Sequence, residues 1–201
     1  MTGRKTLNEL TRCPWVDLSK PLYIDYHDRE WGVPVRDDRT MFEFLILESA
    51  QAGLSWYTVL SKRENYREAF EGFDPQRIAR FDQARVAKLL SNPGIIRNRL
   101  KVEAAINNAR CYLELLESQS SFCDYLWSYV GGRPKQSRIR GKADYLATSA
   151  ESDALSKDLK RRGFRFVGST IIYAHMQATG MVNDHVVDCF RRQPIIDAGF
   201  E

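Results

Sequence analysis

The sequence predicts an all-α fold, on three observations. Apolar residues recur at helical spacing along most of the 201 residues, strand-like alternation is nearly absent, and capping residues stand where the periodic stretches begin. In chain order, "DDRTMFEFLILESAQAG" opens with Asp37 and Asp38, carries a dense apolar body and stops at Gly53. "SWYTVLSKRENYREAF" takes Ser55 as its cap, and "DPQRIARF" sets Asp74 before Pro75, the favoured order of cap and first helical residue. "DQARVAKLL" and "RNRLKVEAAINNARCYLELLE" follow, separated by the short turn "SNPGI". "SFCDYLWSYV", "SDALSKDLKRRG" with Ser152 as cap, and "GSTIIYAHMQATG" closing at Gly180 complete the helices. The stretch "GGRPKQSRIRGKADY", Gly131 to Tyr145, is rich in Gly and Arg and poor in apolar residues, and reads as a loop. No internal repeat or low-complexity tract interrupts the pattern.

Composition sets the class. Hydrophobic residues make up 43% and charged residues 28%, enough apolar content to bury a core and not a disordered balance. The net charge of +4 permits a polyanionic partner without demanding one. The start "MTGRKTLNEL" has no apolar h-region and no long uncharged apolar run occurs later, so neither a secretory signal nor a membrane span is expected. Four cysteines (Cys13, Cys111, Cys123, Cys189) are not a disulfide framework in a chain of this length, and the expected location is the reducing cytoplasm.

A metal site is suggested by "VNDHVVDC". His185 and Cys189 lie four residues apart, and on a helix they would share one face, forming half of a tetrahedral site. Cys13 and His27, in a mostly polar segment with Pro14 and Pro21, would complete a closed Cys2His2 set; His175, inside an apolar helix, does not join easily. Spacing alone leaves this reading level with the other one, in which each Cys is a small buried hydrophobe and each His a core residue. A zinc hydrolase is disfavoured, because no HExxH pair is present and four ligands close the metal.

The stretch from "CPWVDLSKPLYIDYHDREWGVPVRDD" through "QAGLSWYTVLSKRENYREAF" closely resembles the 3-methyladenine DNA glycosylase I family. So do "NPGIIRNRLKVEAAINNA", "SDALSKDLKRRGFRFVGSTIIYAHMQATG" and "VNDHVVDC", in register from about Cys13 to Cys189. The resemblance implies an all-α helix-hairpin-helix fold at residues 13–190, two helical lobes acting as one unit. An extension precedes it at 1–12 and a tail follows at 191–201. It implies a structural zinc clip of Cys13, His27, His185 and Cys189 joining the two termini. The implied activity is monofunctional excision of 3-methyladenine from alkylated double-stranded DNA in base excision repair, by a monomer that releases the free base. A non-catalytic zinc-containing DNA-binding protein on the same fold is the alternative.

The substrate makes demands that particular residues meet. A glycosylase flips its nucleotide out of the stack into a pocket, and an alkylated adenine nucleotide carries positive charge on the base. Such a pocket should offer aromatic faces and an anion. Tyr23, Tyr26, Trp31 and Trp56 are the aromatics within reach in the sequence, and the resemblance implies Tyr26 and Trp56 as walls with Tyr23 close by. Glu48 lies on the helical face of Met41, Phe44 and Leu45, where a carboxylate is costly without a partner. By resemblance it contacts the flipped base. The superfamily's usual Asp beyond the hairpin is missing from "NNARCYLELLESQ", and no Lys stands as a nucleophile, so no general base is assigned and no lyase activity is expected.

DNA contacts are expected at the hairpin "LLSNPGIIRNRLK". Pro93 and Gly94 make the turn, the next helix would offer free amides to a phosphate, and Arg97, Arg99 and Lys101 add charge. Ile96 stands where the superfamily has a second Gly. "SKDLKRRG", Ser156 to Gly163, reads as surface. In "QAGLS", Gly53 would approach the DNA backbone and Leu54 would fill the gap left by the flipped base, with Leu54 as a core residue equally open.

Overall fold

The computed structural model describes residues 10–198, and the outer parts of the expected terminal extension and tail lie outside them. Eleven α-helices and two two-residue strands occur among these residues, so the all-α expectation holds. The described residues divide into two units, each assembled from separated segments: unit 1 from residues 10–35, 133–146 and 176–198, unit 2 from residues 36–132 and 147–175.

Unit 2 is built around α2 (Asp38–Gln51), whose residues from Met41 to Ala50 are all buried. A helix apolar nearly all round is a central helix and not a surface one. Asp37 caps it by accepting from the Thr40 amide. Asp38, at its first position, reaches across to accept from the Phe122 and Cys123 amides and the Ser121 hydroxyl, fixing the start of α8 (Phe122–Ser128) against it. These bonds outweigh burial and hold the Asp38 carboxyl below its usual range. Helix α2 ends at Gln51, and Gly53 turns the chain with φ +78°, a conformation that L side chains resist.

Ser55 then caps α3 (Trp56–Leu60) as expected, but the single helix expected through Phe70 is two, with α4 at Arg63–Ala69 after a turn at Ser61 and Lys62. Asp74 caps α5 (Pro75–Ile78). Helices α6 (Gln83–Ser91) and α7 (Arg99–Leu116) follow, joined by the segment 92–98. In α9 (Ala150–Arg161) the cap is Ser149, not Ser152; Ser152 is the third helical residue and returns the bond to the Ser149 amide.

Unit 1 holds α1 (Pro21–Arg29), β1 (Lys135–Gln136), β2 (Val182–Asn183) and α11 (Arg192–Ala198). Helix α1 occupies a short, Pro-bearing segment for which no helix is expected from the sequence: Pro21 is its first residue, where a missing amide costs nothing. Helix α10 (Ser169–Ala178) leads from unit 2 into unit 1. It closes at Gly180, whose Cα lies so near the backbone of Gly32, Val33 and Pro34 that a β-carbon would sit 2.5 Å from it. Strands β1 and β2 pair in parallel, and His185 to Cys189 form turns, so the helical placement of that pair is corrected.

Candidate active site and metal centre

Four side chains of unit 1 converge. The donor atoms of Cys13, His27, His185 and Cys189 lie within 4.8 Å of one another, all buried. Cys13 Sγ is 3.4 Å and Cys189 Sγ 3.3 Å from His185 Nδ1, and Cys189 Sγ is 3.5 Å from His27 Nε2. A tetrahedral ion with metal–sulfur bonds of about 2.3 Å and metal–nitrogen bonds of about 2.05 Å needs sulfur–nitrogen edges of about 3.6 Å. The cluster therefore has the size of such a site. A turn, not a helix, closes the His185–Cys189 spacing, through the Cys189 amide bonded to Val186 O at 2.8 Å.

The outer face of each imidazole is engaged. His27 Nδ1 lies 2.8 Å from Asp28 Oδ1, and Arg12 clamps that carboxylate at 2.7 Å. His185 Nε2 lies 2.9 Å from Trp31 O. These contacts orient His27 Nε2 and His185 Nδ1 inward, the arrangement that ligating histidines commonly show. The sulfurs complete the fit: the hydrogen bond between Cys13 and Cys189, with burial, pushes the Cys13 thiol up while Cys189 is held low. Two sulfurs sharing a proton this way could both ionise around a divalent cation. Sequence reasoning misses Arg12 and Asp28, although Asp28 follows His27 directly, and it reads Trp31 as a pocket aromatic and not as the residue whose carbonyl holds His185.

Around this cluster, Trp15 packs on Tyr23 (5.1 Å between centroids), Tyr26 (6.4 Å), His27 and Trp31. Tyr26 is buried and Tyr23 half-buried. Both tyrosines thus belong to unit 1.

Glu48 belongs to unit 2, near the end of α2. Its residue is 4% exposed, and its carboxyl has no hydrogen bond or ion pair among the described residues. Burial alone pushes it up to about 8. The same helix supplies the contrast: Glu43, also buried, binds Arg63 at 2.6 Å and Arg67 at 2.9 Å. Of these two buried carboxyls on one helix, only Glu43 is neutralised by protein. Glu48 instead lines a cavity of about 300 Å³ with Gln51, Ala52, Gly53, Leu54, Thr170, Ile171 and Ala174, at the small end of ligand pockets. Thr170, Ile171 and Ala174 carry no sequence signal for this. Trp56 is buried and stacks on Phe44, one turn before Glu48, at 6.5 Å and 23°. Leu54 is 40% exposed, which removes its reading as a core residue.

In the hairpin segment some amides have acceptors and others do not: at the start of α7 Lys101 N is capped, while Arg99 N and Leu100 N have no acceptor among the described residues. Asn92 Oδ1 accepts from Gly94 N, the Tyr66 hydroxyl from Ile96 N, and Asn98 Oδ1 from Lys101 N, so these three amides have internal acceptors. Arg97 is exposed, and Arg99 pairs with Glu103 at 3.3 Å. Lys101 points elsewhere: its Nζ donates to Ala50 O at 2.8 Å and Ala52 O at 2.6 Å. A cation here satisfies carbonyls that the end of α2 leaves without partners. Lys101 thereby ties the first turn of α7 to the segment that lines the Glu48 cavity.

The model of a family described as methyladenine glycosylase matches residues 15–192. The chain is 50% identical over 180 residues to DNA-3-methyladenine glycosylase 1 of Escherichia coli (strain K12), spanning 90% of this chain and 96% of that protein. It is 47% identical over 179 residues to the DNA-3-methyladenine glycosylase of Haemophilus influenzae, with 89% and 96% covered. A crystal structure of 3-methyladenine DNA glycosylase I superposes with a TM-score of 0.87 at 52% identity, over 90% of this chain and 98% of that one. A structure from Staphylococcus aureus, described as the structural basis of 3-methyladenine recognition by that enzyme, superposes at 0.88 with 37% identity, over 91% and 97%.

Proposed function

The chain belongs to the methyladenine glycosylase family, and on that premise we propose that it hydrolyses the N-glycosidic bond of 3-methyladenine in alkylated double-stranded DNA, with Glu48 receiving the flipped base. The observation that carries the role of Glu48 is its burial without a partner beside a cavity. A neutral adenine offers that carboxyl no charge, whereas the cationic methylated base of the nucleotide supplies the partner that protein does not. At pH 7 the free carboxyl is mostly protonated, and ionising it costs about 1.4 kcal/mol. A charge-assisted contact in a desolvated pocket, at about 1.5–3 kcal/mol, is enough to offset that. The pocket is therefore selective for charge on the base.

Trp56, stacked on Phe44 in the same unit, is the aromatic face proposed for stacking. The exposed Leu54 is proposed to enter the gap in the duplex, with Gly53 allowing close approach. Methylation makes the base a good leaving group, so desolvation and base recognition lower the barrier without a dedicated general base. Helices α6 and α7 are read as the helix-hairpin-helix, with Arg97 and Arg99 as phosphate contacts and Lys101 reassigned to positioning. The Cys2His2 cluster is proposed to hold structural zinc, which would bind unit 1's separated segments together and take no part in the reaction. Release of free base from methylated duplex, resolved by base type, tests the reading: 3-methyladenine is the expected product, and its absence would overturn it.

A further inference from the structure

The loop of Gly131 to Tyr145 is the charged segment that the base pocket does not use. Among the described residues, Arg133, Arg138, Arg140 and Lys142 are exposed, and no carboxylate stands within ion-pair distance of their side chains. Elsewhere arginines are commonly matched: Arg63 with Glu43, Arg85 with Glu71, Arg162 with Asp158. The loop's own acid, Asp144, is engaged by the backbone, accepting from the Arg140 and Gly141 amides. Arg133, Arg138, Arg140 and Lys142 are thus left for something outside the chain.

The backbone beneath them is held at many points. Lys135 N donates to Met181 O and Ser137 N to Asn183 O along the β1–β2 pairing. Asn183 Nδ2 donates to Gln136 Oε1, and Val187 N donates to Ile139 O. Arg192 donates to both Ser137 O and His185 O, joining the loop to the metal cluster. Ile139 is buried between the exposed Arg138 and Arg140, so the two guanidinium stems leave the opposite side of the strand-like segment. A pinned loop gives up little conformational entropy when it binds, which separates this patch from an ordinary solvated charge run.

We propose that Arg133, Arg138, Arg140 and Lys142 form a second, sequence-independent binding surface for the phosphate backbone of double-stranded DNA, held in place by the metal cluster. The proposal rests on the reading of the chain as a DNA glycosylase. Arg138 and Arg140, two residues apart on one side of a fixed extended segment, with Arg133 and Lys142 flanking them, suit a partner with repeated negative charge, and such cations carry no information about the base.

The test is the affinity of the full chain for undamaged duplex as salt rises. It compares the parent, the triple variant Arg133→Ala with Arg138→Ala and Arg140→Ala, and the charge-keeping triple Arg133→Lys with Arg138→Lys and Arg140→Lys. Removing each cation that meets a phosphate should lower the slope of log K against log salt by about 0.9, so the alanine triple should flatten it by about 2.7. Between 50 and 200 mM salt the parent should then lose roughly 40-fold more affinity than the alanine triple, while the lysine triple follows the parent. Single-turnover release of methylated base at saturating enzyme should be unchanged in both. Equal slopes for parent and alanine triple, with base release intact, overturn the surface alone. Absence of base release in the parent overturns the glycosylase reading, whatever the slopes.

Discussion

The substitution Glu48→Gln isolates the consequence of burying a carboxyl with no partner. Because burial raises the folded-state value from 4.5 to about 8, the stability that Glu48 contributes is fully present below 4.5 and disappears as pH rises through about 8. Integrating between those two values from pH 6 to pH 9, at 1.36 kcal/mol per unit, gives a loss of about 2.7 kcal/mol from this residue. Glutamine has the same shape and does not titrate. The difference in unfolding free energy between variant and parent should therefore grow by about 2.7 kcal/mol in favour of the variant over that interval, while all other titrations cancel. Urea unfolding followed by tryptophan fluorescence at pH 6, 7, 8 and 9 measures it. Parallel curves for the two proteins would mean that Glu48 ionises at its ordinary pH and has solvent or a partner, so that it is not a buried, unpartnered carboxyl.

Other consequences concern the metal cluster and the DNA contacts. Cys13→Ser should lower the melting temperature and release zinc, since binding energy at such a site is folding energy; full stability in a zinc-free preparation would contradict a structural metal. Asp28→Asn should weaken zinc affinity about 10- to 100-fold by loosening His27, read by competition with a chromophoric chelator, and unchanged affinity would remove Asp28 from the site. Lys101→Met should remove two charged hydrogen bonds to the end of α2 and cost about 1.5–3 kcal/mol of stability; it should slow excision with little change in the salt slope of DNA binding. Arg99→Ala should lower that slope by about 0.9 and leave base preference alone, so a shift in base preference at unchanged affinity would contradict its assignment.

The caps Asp37, Ser55 and Asp74 are legible in the sequence because capping is a local contest between one side chain and the next few amides. Glu48 is legible for a similar reason, since helical spacing alone puts it on the apolar face. Helix α1 is not, because its stability comes from packing Tyr26 and His27 in unit 1 and not from an apolar stripe. The His185–Cys189 pair has the right spacing through a different structure, as a turn and a helical repeat bring residues four apart together equally well. Lys101 misleads for another reason: in sequence it sits among hairpin cations, and only the fold brings the carbonyls of Ala50 and Ala52 to its ammonium.

The central claim is that Glu48 recognises charge on the flipped base. Single-turnover excision of 3-methyladenine by the parent and Glu48→Gln, with abasic-site affinity measured beside it, tests this most directly. Excision by Glu48→Gln should be slowed roughly ten- to a hundredfold, the equivalent of about 1.5–3 kcal/mol, with abasic-site affinity nearly unchanged because no base is there to contact. Excision by Glu48→Gln at the parental rate would contradict that recognition and leave Glu48 a structural residue.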